Sequence, residues 1–126
     1  MSENVIGTGQ FFTEEVREKM IKKEVRALKK ITKHLDDGKK HLCGPLITSI
    51  AFSIVQMEEL RLLLKRDGYY EKYQNGANQS GMKKSIASDM LISVGKNYSM
   101  FLQRFKDFLP VGNIVTDKLA DWDKKH

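Results

Sequence analysis

One cysteine, two prolines and no long apolar run are what this 126-residue sequence has little of, and each scarcity excludes something. With Cys43 alone, no internal disulfide can form and no four-cysteine zinc site can be built. His34, His41 and His126 are the only imidazoles, and none is spaced to complete a metal set. Neither a metal nor any other cofactor is expected. Cys43 reads as a buried or half-buried free thiol in a reducing cytosol. The most apolar stretch, Leu46 to Val55, is broken by Thr48, Ser49 and Ser53. It falls short of the roughly 18 residues that a membrane span needs. The opening letters MSENVIGTGQFF hold no basic start and no long apolar stretch, so no secretory leader is expected and the chain reads as soluble and intracellular.

What is abundant is charge. Charged residues make up 30% of the sequence and hydrophobic ones 40%, with a formal net charge of +6. The excess is concentrated. Residues 17–41 hold ten Lys/Arg against four Asp/Glu, which by itself gives +6. This length and composition suit one helical domain over residues 13–110, preceded by a flexible arm over 1–12 and followed by a tail over 111–126.

Periodicity places the elements. Thr13 followed by Glu14 and Glu15 is a helix start, a capping hydroxyl ahead of acids in the first turn. Ile21, Val25, Leu28, Thr32 and Leu35 then recur at helical spacing, until Asp36, Asp37 and Gly38 stop the first helix, roughly 13–36. Lys39, Lys40 and His41 read as a basic linker, and Pro45 suits the first turn of a second helix, roughly 45–66. Its apolar arc (Ile47, Ile50, Ala51, Ile54, Met57, Leu60, Leu64, widened by Leu62 and Leu63) asks for more than one neighbour, and Gly68 stops it. Three tyrosines, Asn75-Gly76 and Ser80-Gly81 point to a small β-hairpin or ordered loop with one or two turns. Ser85 or Ser88 caps a third helix, roughly 86–109, in which Leu91, Val94, Tyr98, Phe101, Phe105 and Phe108 keep a strict 3,4 spacing. Pro110 and Gly112 end it. The fold class is mainly α.

Three constellations bear on function. Lys22, Arg26, Lys29 and Lys33 form a stripe on helix 1, flanked by Lys23 and Lys30 and offset from the apolar face, so the charge stays exposed when the helix packs. Such a row suits a polyphosphate; a solvated face partly held by Glu18–Lys22 explains the same letters. The aromatic heptad of helix 3 is first the core of the monomer, and with the broad face of helix 2 it also supports self-association. Tyr69, Tyr70, Lys72, Tyr73, Lys83 and Lys84 interleave aromatics with bases, as in surfaces that stack on unpaired nucleotides. A hairpin that packs its tyrosines onto helix ends is the preferred account of them. Catalytic signatures are missing: no phosphate loop, no G-x-S-x-G and no HExxH. Glu58 and Glu59 are adjacent and diverge on a helix. Asp117, Asp121 and Asp123 read as a solvated tail rather than a nuclease site. No enzyme is expected.

The segment YQNGANQSGMKKS, with Tyr73, Gln74, Asn75, Gly76, Asn78, Gln79, Gly81, Lys83, Lys84 and Ser85, followed by a long helix that ends in Asp107, Leu109 and Pro110, resembles the small terminase subunits of tailed phages and prophages. The resemblance covers roughly 69–110, with a looser match upstream at LLLKRDG. It implies a non-enzymatic, ring-forming factor that binds double-stranded viral DNA and delivers it to the large terminase subunit, which carries the ATPase and nuclease. On that reading Lys22, Lys23, Arg26, Lys29, Lys30 and Lys33, with Lys83 and Lys84 assisting, contact DNA in the bacterial cytoplasm. Leu91, Val94, Tyr98, Phe101, Phe105 and Phe108 supply core and subunit interface, and Tyr73, Asn75, Gly76 and Gly81 shape the hairpin. No helix-turn-helix signature accompanies them. The alternative is a helical module whose basic stripe meets an acidic protein.

Overall fold

The computed structural model describes residues 11–74, 76–77, 79–109 and 122. The elements run α1 Glu14–Ile31, α2 Asp37–Asp67, β1 Tyr70–Gln74, β2 Ser80–Lys84 and α3 Ile86–Asp107. The chain is thus mainly helical, with one two-stranded antiparallel ribbon between the second and third helices. Expectations placed on residues 1–10, Asn75, Asn78, Pro110, Gly112 and the tail, with its Asp117, Asp121, Asp123 and His126, lie outside the described residues.

Local chemistry sets the ends. The Thr13 hydroxyl accepts the Val16 N–H at 3.2 Å, and Glu14 and Glu15 face the positive end of α1. The α1/α2 junction differs from the sequence reading. α1 stops at Ile31 with Thr32 as its C-cap, so Lys33 lies in the turn after the helix and not on it, and Asp36 opens the next helix instead of closing the first. Its carboxylate accepts the Lys39 N–H at 2.8 Å, the role aspartate fills best at an N-cap. The Lys39–His41 stretch is therefore helical, not a linker, and Pro45 lies inside α2 rather than at its start. A proline there loses one main-chain bond and crowds the carbonyl four residues back, about 3 kcal/mol. The Asp36 cap and the complete burial of Cys43 hold the turns ahead of it. At the other end Gly68 takes φ +88° and donates its N–H to Leu64 O at 2.7 Å. Ser85 caps α3 by accepting the Ser88 N–H at 3.2 Å.

α2 packs against both other helices, which its wide apolar arc requires. The larger core cluster joins Leu28 and Ile31 of α1, Cys43, Ile47 and Ile50 of α2, and Leu102 and Phe105 of α3, with Trp122 against it. A smaller one gathers Met57, Leu60, Leu63 and Val94, and half-buried Tyr98 touches both. Burying each large apolar side chain gives roughly 1.5–3 kcal/mol, so these clusters set the fold.

In the ribbon Tyr70 pairs with Lys84, Lys72 with Met82 and Gln74 with Ser80. The strands are joined by residues 75–79, and the Gln74 side-chain amide donates to the carbonyl of Gly76, which takes φ +84°. Ser80-Gly81 is strand, not a second turn. The Tyr73 ring crosses Gly81 closely: a Cβ there would stand 3.1 Å from its Cε1 and hydroxyl, so the ring would have to shift. The tyrosines do not pack on helix ends. Tyr69 and Tyr70 are 65% and 61% exposed, because the ribbon is held to the bundle mainly at its base. There the Ser85 N–H and the Ser88 hydroxyl both donate to Tyr69 O at 2.9 Å.

Candidate nucleic-acid interface

The buried arc of α1 is formed by Leu28 and Ile31, with Ile21 and Val25 half-buried beside them. At 100° per residue, positions 22, 26, 29, 30 and 23 fall on the opposite side. The result is uniform. Between residues 22 and 33 the exposed positions are 22, 23, 26, 29, 30 and 33, and each is Lys or Arg. None of these six takes part in an ion pair among the described residues. The Glu18–Lys22 pair suggested by the sequence does not form; the pair that does is Glu15–Lys19, one turn earlier, at 3.6 Å. From Lys22 to Lys30 the row covers roughly 12 Å of helix axis. Duplex DNA carries one negative charge per about 1.7 Å of its own axis, so the two charge densities are comparable.

Tertiary packing widens this surface. Lys23 and Lys30 line a cleft of about 1000 Å³ with Arg61 from α2, above a floor that includes Ile54, Val55 and Tyr98. Glu24 and Glu58 share the cleft, so its sign is mixed, whereas the row of Lys22, Arg26, Lys29 and Lys33 outside it is purely cationic. Arg61 gave no sequence signal, because only the packing of α1 on α2 brings it beside the stripe. Lys83 and Lys84 are also exposed but each has a carboxylate: Lys83–Glu71 at 3.7 Å and Lys84–Asp89 at 3.5 Å. They are weaker candidates for phosphate than the α1 row.

The set on α3 is mostly internal. Val94 and Phe105 are buried, and Leu91, Tyr98, Phe101 and Phe108 are half-buried against the two core clusters. The exposed apolar side chains nearby are others: Phe52 on α2 and Met90, Ile92 and Met100 on α3.

One constellation had no sequence signal. Glu59, read as one of two adjacent carboxylates that diverge on a helix, is buried in α2. Its Oε2 accepts the N–H groups of Phe11 and Phe12 at 2.6 and 2.7 Å, and the Arg17 guanidinium reaches both its oxygens at 2.9–3.2 Å. Phe11 and Phe12, assigned by sequence to the flexible arm, are thus fixed to α2. Arg66 sits 5.9 Å from the Phe11 ring centroid. Burial by itself pushes the Glu59 carboxyl up. The Arg17 hydrogen bonds, the two backbone donors and the Arg17 charge outweigh it, so the group lies below the usual carboxylate range. Every acceptor site is satisfied by structural partners, which makes this a clamp and not a reactive acid.

Among the described residues no group of three His, Cys, Asp or Glu comes together to hold a metal, and no helix is long and apolar enough to cross a membrane. The Cys43 thiol is buried, and desolvation pushes its pKa up. Compared with known proteins, the chain matches no family model, no curated protein and no solved structure.

Proposed function

We propose that this chain is the small subunit of a phage or prophage terminase: a non-enzymatic, ring-forming factor that holds double-stranded viral DNA and presents it to the large subunit in the bacterial cytoplasm. The observation that carries the reading is the outer face of α1 and the turn that follows it, where six exposed positions in succession, from Lys22 to Lys33, are cationic and take part in no ion pair among the described residues. Cations already free of carboxylates lose no ion pair when phosphate arrives, and each contact releases a condensed counterion. Contacts of this kind fix the register and orientation of DNA without reading its sequence. The resemblance of residues 69–110 to small terminase subunits supplies the biological setting. Bond chemistry is left to the large subunit.

The test is duplex DNA binding by the full chain. Lys22, Arg26, Lys29 and Lys33 changed together to Glu should abolish retention and leave the helical circular dichroism unchanged. For the unaltered chain, the logarithm of affinity should fall against the logarithm of salt with a slope of about −3 to −5, as expected for contacts to between three and six phosphates. Undiminished binding by the charge-reversed chain overturns the assignment. Indifference of the unaltered chain to duplex DNA leaves the acidic-protein reading in its place.

A further inference from the structure

We infer that the bare face of the β1–β2 ribbon is a stacking platform for unpaired nucleotides, separate from the phosphate-holding face of α1. Side chains alternate across a strand, and the register sets Tyr70 opposite Lys84 and Lys72 opposite Met82. These four therefore share one face, and Glu71, Tyr73, Lys83 and Gly81 share the other. The two faces are used differently. On the second, Lys83 pairs with Glu71 at 3.7 Å and the Tyr73 ring covers Gly81. On the first, Tyr70 is 61% and Met82 60% exposed, and Lys72 is exposed and unpaired among the described residues. Lys84, beside Tyr70, pairs with Asp89 of α3 at 3.5 Å, its one ion pair among the described residues. The bare face carries no carboxylate from its own strands.

The occupant follows from this chemistry. A flat aromatic and a thioether flanked by the Lys72 ammonium, with Lys84 in an exposed pair beside them, suit a partner that is planar and apolar on its faces and anionic along its edge. A nucleobase on its phosphate backbone is such a partner. In a duplex the base faces are covered by neighbouring pairs, so the nucleotides that fit are unpaired ones. The strand geometry offers two neighbouring apolar positions, Tyr70 and Met82, diagonal to each other across the ribbon and within reach of successive bases.

This inference rests on the ribbon alone and does not require the terminase reading, and the experiment keeps the two apart. The full chain is titrated with a labelled single-stranded oligothymidylate of about 12 nucleotides and, separately, with duplex DNA. Tyr70→Ala should weaken oligothymidylate binding by about tenfold, Tyr70→Phe should restore it, and duplex binding should stay unchanged in both. Met82→Glu, at an equally exposed position, gives a second disruption that does not depend on how Tyr70→Ala folds. The same Tyr70→Ala loss should persist on the α1 charge-reversed background. No binding of oligothymidylate by the unaltered chain overturns the inference. So does Tyr70→Ala and Met82→Glu binding as tightly as the unaltered chain, Tyr70→Phe failing like Tyr70→Ala, or polyglutamate competing as well as the oligonucleotide.

Discussion

Glu59 shows how a single side chain fixes the entry to the fold. Its carboxylate collects two main-chain N–H groups and a guanidinium, with Glu59 10% and Arg17 16% exposed at the side chain. Removing the charge leaves the guanidinium and the Phe11 and Phe12 donors short of a full acceptor in a nearly dry site. Glu59→Gln should lower stability by about 2–3 kcal/mol, somewhat below the usual figure for a fully buried pair because both groups keep some water. The pH dependence has a definite sign. The folded carboxyl titrates below its unfolded value, so its contribution is complete above the ordinary carboxylate range, near pH ~4.3, and is lost as the pH falls through the lower folded value. Thermal unfolding of the two chains should differ by a constant amount from about pH 6 to 8 and converge in acid; an undiminished difference at about pH 2 would refute it. No sequence pattern could have found this clamp, because its members lie 42 and more residues apart. Cys43 is the contrary case: a lone cysteine reads as a buried or half-buried free thiol, and it is fully buried.

At the scale of elements, the junctions depend on local letters that can be read two ways. Asp36, Asp37 and Gly38 serve equally as the end of one helix or the start of another, and the Asp36–Lys39 bond decides for a start. The proline signal was misread for the same reason: Pro45 is compatible with a first turn, yet an N-cap nine residues upstream is already in place. Gly68 was unambiguous. At φ +88°, ψ 170° it occupies backbone space closed to other residues, while nothing stands within 4 Å of an added Cβ. Gly68→Ala should therefore cost about 1–3 kcal/mol through conformation alone. Gly95 provides the control, being in the interior of α3 with nothing within 4 Å of an added Cβ, and Gly95→Ala should stabilise by about 0.5–1 kcal/mol. Denaturant midpoints of the two variants would move in opposite directions. A shift of the same sign in both would show that the Gly68 backbone relaxes. The ribbon was visible in Asn75-Gly76 and its tyrosines. Its exposure was not, since that depends on α2 and α3 meeting each other and leaving the strands outside.

For the molecule as a whole, the cationic row and most of the exposed apolar side chains of the helical bundle lie on different helices. The outer face of α1 is cationic from Lys22 to Lys30, while the exposed apolar groups are Leu42 and Phe52 on α2 and Ile86, Met90, Ile92 and Met100 on α3. The heptad of α3 is largely occupied within the monomer, so the proposed ring would draw on that exposed set. Light scattering on the purified chain should return a defined multimer, and a clean monomer at all concentrations would remove the ring from the proposed function. The sequence by itself determined the helical class, the cap at Thr13, the stop at Gly68, the ribbon's place and the exposure of the basic stripe. These follow from residues within a few positions of one another, where periodicity and backbone preference act directly. Only the tertiary structure decided that Arg61 stands beside the stripe, that Glu59 is a buried clamp, and that one face of the ribbon is left bare. Each of those depends on which helix packs against which, and helix packing is governed by the summed burial of clusters drawn from all three helices.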